Sequence, residues 1–263
     1  MAQTIIACRT SSYGSHEALA YEHLASLGLR HVEILVPVPD QIEATKTALA
    51  RFGLTASSLH AECDLSRPDV AEMVEAQMPA FAALGTRIMF VSAQAGETPR
   101  ETAYARLRAA GDVAARHNVT IAMETHPDLA VNGDVVLQTM HAVGHPNVRI
   151  NFDTANVYFY NRGIDGVAEL RKVVEYVAAV HLKDTDGGYR SWHFPALGRG
   201  VVDFRGIFAT LDAAGFAGPC TLEIEGIEGE TKTERLICDR IAESVGYLRG
   251  LGRLGAWLVK REA

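Results

Sequence analysis

The chain has 263 residues, close to the roughly 250 of a barrel of eight β/α units, so one domain over residues 1–263 is the simplest organisation. Hydrophobic residues at 48% and charged residues at 22% can fill a large core and still keep the surface soluble. Acidic side chains outnumber basic ones 32 to 25, a net charge of −7 that speaks against a nucleic-acid partner, because phosphate backbones are held by clustered Lys and Arg.

Taken from the start, MAQTIIACRTSSYG lacks a basic stretch followed by an apolar core, and no apolar run approaches the roughly 20 residues that span a bilayer. The expectation is a cytoplasmic protein with no membrane partner. Short apolar, β-branched runs then alternate with longer Ala-, Leu-, Glu- and Arg-rich stretches of helical period, the pattern of an α/β chain. Strands are predicted at TIIACRT from Thr4, HVEILV from His31, TASSLH from Thr55, RIMFVSA from Arg87, TIAMETH from Thr120, VRINFDT from Val148, VAAVHLKD from Val177 and CTLEIEG from Cys220. Their starts recur about every thirty residues, the size of one β/α unit, which predicts a single (β/α)8 TIM barrel. Gly28, Gly53, Gly85 and Asn118 precede the second to fifth strands as left-handed helix stops.

The last interval is longer. Its surplus is TDGGYRSWHFPALGRGVVDF, a Gly-rich aromatic loop at the rim where barrels place function. Arg190 and His193 in it could close over a ligand, and Trp192 and Phe194 could stack on a sugar or meet a second subunit. The chain ends in a helix and a tail from about residue 253, whose Trp257 and Leu258 could pack on the barrel base or on a partner chain. Cys8, Cys63, Cys220 and Cys238 show no C-x-x-C spacing and are expected as free thiols.

Charged residues inside these strands need a reason, because parallel barrel strands are buried on both faces. Glu124 shares parity with Thr120, Ala122 and His126, while Ile121 and Met123 point toward the helices. Asp153 opposes Ile150 and Phe152, His181 and Lys183 oppose Val180 and Leu182, and Glu223 and Glu225 oppose Leu222 and Ile224. All face inward near the C-terminal ends of their strands. Three carboxylates and a His there sum to about −3 at a poorly solvated place, which calls for a cation. Glu124, Asp153, His181 and Glu223 are therefore predicted to hold one divalent ion; oxygen-rich ligation with one imidazole suits Mn²⁺, Mg²⁺ or Co²⁺, and admits Zn²⁺.

The strings METHPD, NFDTAN, HLKD and LEIEG, with HVEI and LGRGVVDF, resemble the xylose isomerase-like barrel superfamily of sugar isomerases and epimerases over nearly the whole chain. The resemblance implies the same four metal ligands, with Glu124 and Glu223 also carrying protons. It implies Glu33 as a residue lining the sugar pocket and His60 as the third-strand histidine. Glu225 is the weaker candidate on its strand. Where the apurinic endonuclease branch has further zinc-binding histidines, this chain has Ser92 and Asn156, so a multinuclear site is disfavoured; Asn156 also stands where ketohexose epimerases carry a sugar-contacting His.

The expected activity is enediolate chemistry on a keto-sugar or inosose in carbohydrate metabolism, an isomerase or epimerase reaction. A metal-dependent lyase or dehydratase of the same superfamily, inosose dehydratase-like or cleaving oxidised glycosides, is the alternative, with an apurinic endonuclease or a non-catalytic sugar-binding barrel behind it. His60, His126, Asn156, Lys183 and His193 are candidates for the substrate. The competing role for Lys183 is a rim pair with Asp184 or Asp186. No phosphate-binding Arg or Gly-rich helix start is plain at the rim, which favours an unphosphorylated substrate. A homo-oligomer is compatible with the sequence.

Overall fold

The computed structural model describes residues 4–255; the expectations for Trp257 and Leu258 lie outside the described residues. Strands and helices alternate along the chain. They run β1 (Ile5–Arg9), α1 (Ala20–Ser26), β2 (His31–Leu35), α2 (Ile42–Arg51), β3 (Thr55–His60), α3 (Val70–Leu84), β4 (Ile88–Val91), α4 (Arg100–Arg116), β5 (Thr120–Glu124), α5 (Gly133–Val143) and β6 (Val148–Asp153). After β6 come α6 (Asn156–Phe159), α7 (Gly166–Val173), β7 (Val177–Leu182), β8 (His193–Phe194), α8 (Phe204–Ala213), β9 (Pro219–Leu222), β10 (Gly226–Ile227) and α9 (Glu234–Gly250). Eight parallel strands, β1 to β7 and β9, close into a barrel, and each overlaps one predicted strand. No described helix is long and apolar enough to cross a membrane.

The helix stops have the backbone that their residue types favour. Gly28, Gly53, Gly85 and Asn118 sit at φ 79°, 64°, 67° and 56°, where a Cβ is costly and Gly or Asn is cheapest. Helix starts are capped as well: Asn132 accepts from Val135 N at 3.1 Å, and Asp165 from Val167 N at 2.9 Å.

Strand parity sorts the side chains into two environments. Ile6, Cys8, Met89, Val91, Ile121, Met123, Val180, Leu182, Cys220 and Leu222 are buried in the apolar layer between strands and helices. The opposite parity carries small or polar side chains, among them Ala7, Ala122, Ala179, Ser58, Asn151 and Thr221. Phe90 is the bulky exception: its ring lies 4.4 Å from that of His181 and 4.9 Å from that of His60, forming a floor under the rim. Cys8, Cys63, Cys220 and Cys238 are free thiols.

The long segment after β7 is more ordered than a loop. Its β8 pairs antiparallel with β10, setting Phe194 opposite Gly226 and His193 opposite Ile227. Its return is pinned by Asp184, which is fully buried. The Asp184 carboxylate accepts from the backbone N–H groups of Gly198 and Gly200 at 2.8 Å, Thr185 at 2.9 Å and Val202 at 3.1 Å. A Cβ on Gly200 would come within 2.2 Å of the Thr185 carbonyl oxygen, which explains that glycine in LGRG.

Candidate metal centre

The register of the barrel gathers the four predicted ligands at one end. Asp153 of β6 lies directly beside His181 of β7, and Glu124 of β5 beside Asn151 of β6. One ligand atom from each of Glu124, Asp153, His181 and Glu223 falls within 4.8 Å of the others, and all four residues are buried.

The donor set fits a divalent cation on three observations. First, His181 Nδ1 and Asp153 Oδ2 are buried and make no directed hydrogen bond, only charge contacts with Glu223 Oε2 and the Lys183 ammonium, so both can turn a lone pair to a cation. Second, the other oxygen of Asp153 is already held by the N–H groups of Ala155 and Asn156, both at 2.8 Å, which fixes the free one toward the cluster. Third, His181 Nε2 lies 3.2 and 3.3 Å from the two Glu33 oxygens. A carboxylate there places the ring proton on Nε2 and leaves Nδ1 as the ligand. Nδ1 faces Glu223 Oε2 at 3.2 Å and Glu124 Oε1 at 3.8 Å.

The charge count from sequence omits two cations that the structure brings in. Lys183 is 2% exposed. Its ammonium is 3.0 Å from Asp153 Oδ2 and 2.9 Å from both Glu223 Oε2 and Glu225 Oε2. Its partners are therefore not Asp184 or Asp186, because the inward parity of β7 that carries His181 carries Lys183 too. Arg9, at the end of β1, bonds Glu223 Oε1 through Nη1 and His60 Nδ1 through Nη2, the latter at 2.8 Å. Two cations among five carboxylates leave the cluster anionic, so room for a divalent ion remains.

These neighbours set the proton affinities. Burial pushes Asp153 up to about 7; Lys183 opposes this, while Glu223 and Glu124 add to it. Burial also works against the ionised forms of Glu124 and Glu223. At Glu124 the neighbouring His181 and Lys183 together outweigh it, and Lys183, His181 and Arg9 hold Glu223 well below the usual carboxylate range. Burial lowers His181, but Glu33 and Glu223 together hold it well above the ordinary imidazole value.

A cavity of about 240 Å³ opens onto the cluster, lined by Arg9, Ser92, Glu124, His126, Asn156, Phe159, Tyr160, Lys183, Trp192, Phe194, Glu223 and Glu225. Ser92 Oγ donates to Glu124 Oε2 at 2.5 Å, and Asn156 Nδ2 donates to the Thr125 carbonyl at 3.1 Å. His126 Nε2 meets the Tyr160 hydroxyl at 2.8 Å.

Three predicted substrate residues lie elsewhere than on this wall. Glu33, 1% exposed, is under the centre with Ser58 Oγ donating to it at 2.7 Å. His60 is behind Arg9. His193 belongs to β8, whose neighbours Trp192 and Phe194 reach the cavity; strand alternation turns His193 away, toward the charges of Asp186 and Glu230. Sequence reasoning passed over Arg9 and Tyr160. Arg9 carried the signal used for the ligands, a charged residue of inward parity at a strand end; Tyr160, on a short helix, carried none.

With this geometry in view, the family is plain: residues 21–242 match the xylose isomerase-like TIM barrel, and the chain belongs to that family. A stretch of 120 residues is 32% identical to an L-ribulose-5-phosphate 3-epimerase of Salmonella paratyphi C, covering 45% of this chain and 40% of that protein. The chain thus aligns with less than half the length of this curated relative. A xylose isomerase domain protein from Planctomyces limnophilus superposes with a TM-score of 0.76 at 20% identity, over 95% of this chain and 97% of the other. D-allulose 3-epimerase from Methylomonas sp. gives 0.71 at 20% identity, over 95% and 98%. At that identity the two likenesses are of fold.

Proposed function

We propose that the chain is a divalent-metal-dependent sugar epimerase or isomerase acting on a keto-sugar or inosose, with residues 1–263 as one domain. The observation that carries this reading is the convergence of Glu124, Asp153, His181 and Glu223 at the buried end of a cavity of about 240 Å³ that Glu124 and Glu223 line. The curated relative is itself named as a sugar-phosphate epimerase. A cation held there, Mn²⁺ first among Mg²⁺, Co²⁺ and Zn²⁺, would supply Lewis-acid polarisation of a carbonyl.

The chain's own residues do the rest. Glu124 and Glu223 come from β5 and from the end of β9, on different sides of the cavity, so one removes the proton next to the carbonyl and the other returns it to the opposite face. Both carboxyls are held ionised, which suits a base; the acid role is taken by whichever has just received the proton. Lys183 donates to a substrate oxygen as enediolate charge develops. His126, steered by Tyr160, and Asn156 orient hydroxyls. Glu33 positions His181, and His60 positions Arg9. Trp192 and Phe194 wall the cavity and exclude water. The four free cysteines accord with a cytoplasmic, reducing setting.

The test is incubation of the Mn²⁺-loaded protein with a panel of keto-sugars in deuterated water. Epimerisation incorporates one deuterium at a single carbon beside the carbonyl without loss of water from the substrate. A dehydrated or cleaved product by mass spectrometry would assign the lyase alternative instead, and absence of any metal stimulation would remove the catalytic reading.

A further inference from the structure

The barrel interior continues below the metal centre, and the strand register sorts it into layers. In a barrel of this kind side chains from alternate strands stack in layers of four, most often bulky branched residues. Arg9, His60, Glu124 and His181 are the register partners of Glu33, Phe90, Asn151 and Thr221 in that order. On their other side the same four residues are paired with Ser58, Ala122, Ala179 and Ala7. Two layers therefore lie beneath the one that carries Glu124 and His181: a middle layer of Glu33, Phe90, Asn151 and Thr221, and a lower layer of three alanines and a serine.

The lower layer lacks the bulk that usually fills a barrel, yet its four residues are buried, so bulk solvent does not reach it. The middle layer carries polar groups that protein atoms do not satisfy. Asn151 is 0% and Thr221 1% exposed. Among the described residues, Asn151 Oδ1, Asn151 Nδ2 and Thr221 Oγ1 have no hydrogen-bond partner. Leaving a buried amide and a buried hydroxyl unbonded is costly, and where protein offers no partner such groups are met by ordered water. Glu33, in the same layer, is held by Ser58 and His181 instead.

The chemistry of these groups selects the occupant. An amide presents two N–H donors and an acceptor oxygen, and a hydroxyl both donates and accepts. A cation would leave the Asn151 N–H groups unmet, and an anion would share a layer with the Glu33 carboxylate. Water serves donors and acceptors together, and a polar place walled by small side chains is where proteins hold it. We infer that the barrel contains an enclosed water site one layer below Glu124 and His181: ordered water bonded to Asn151 and Thr221, resting on Ala7, Ser58, Ala122 and Ala179. Its dipoles lie beside Glu33, the carboxylate that aims His181, and so extend the support of the metal centre to the middle of the barrel.

The test is a high-resolution crystal structure of the Mg²⁺-loaded protein beside those of Thr221→Val and Thr221→Ser. Water density is expected at hydrogen-bonding distance from the Asn151 amide and from the Thr221 hydroxyl, kept in the serine variant. The valine variant, which preserves the shape without the hydroxyl, should lose the water bonded at position 221. Thermal unfolding reads the sign independently. Where the hydroxyl is bonded to buried water, Thr221→Val lowers the melting temperature by about 2–4 °C, whereas removal of an unbonded hydroxyl raises it. Absence of water density at either side chain, a peak ligated at metal distances, or a valine variant that melts at or above the wild type overturns the inference.

Discussion

The two halves of the barrel rim divide the labour of the centre. Strands β5, β6 and β7 and the residue after β9 supply the four candidate ligands, while β1 to β4 and the segments following them supply Arg9, Glu33, His60 and Ser92, none of which is in that set. Three of the four candidate ligands are gripped by this second half, Glu223 by Arg9 and Glu124 by Ser92 from neighbouring strands and His181 by Glu33 from across the barrel. The fourth, Asp153, is held by its own backbone neighbours. One half binds and the other half aims.

If that division is real, substitutions on the two sides should differ in kind. The largest effect is expected from Asp153→Ala, which removes a ligand whose free oxygen has no substitute nearby. Metal analysis of the purified variant should find under about a tenth of the wild-type content, and proton exchange should fall by about a thousandfold or more. Glu33→Gln, on the aiming side, leaves all four ligands in place but can present the wrong dipole to His181 Nε2. Metal affinity, read by competition with a chelator, should drop about 10- to 100-fold. Equal effects for the two variants would erase the comparison.

Metal removal gives a pH-dependent version of the same test. Asp153 is raised from 3.8 to about 7 and His181 lies well above 6.5, so the metal-free folded chain binds protons that the unfolded chain has released. A group raised on folding contributes stability below its unfolded value and loses it as pH rises through the folded one. Glu124 and Glu223 are lowered, and their contributions are already complete above 4.5. The melting temperature of chelator-treated protein should therefore fall between about pH 5 and pH 8. With metal in place of those protons the slope should flatten or reverse, and metal affinity should rise with pH. The smallest effect belongs to Ser92→Ala, which removes one hydrogen bond from Glu124 at an exposed position. A change of severalfold in the exchange rate, with metal content unaltered, is the expected result.

The same division explains what could be read from the chain. A carboxylate or imidazole of inward parity at a strand end is visible as an anomaly in an apolar run, and the four residues that gather at the candidate centre stand out in that way; the eight strands are legible from the apolar runs themselves. Arg9 obeys the same rule in IIACR, but a cation does not create the charge deficit from which the reasoning started. Glu33 was found by resemblance and its depth was not: parity says which face of the sheet a residue occupies, whereas its height along the barrel axis depends on the stagger between strands. His193 shows the converse. In a loop of unknown conformation nothing distinguishes it from Trp192 and Phe194, and a two-residue strand settles which of them face the cavity.

Asp184 carries a practical consequence. Its carboxylate ties the outgoing end of the segment at Thr185 to the returning end at Gly198, Gly200 and Val202. The residues between those ends form a cassette closed at its base by this clip and held further out by the pairing of β8 with β10 and by the Arg190 N–H on the Phe159 carbonyl. Its aromatic contents, Trp192 and Phe194, can be exchanged to resize the cavity for a different sugar while Lys183, one residue before the clip, stays in register with the metal ligands.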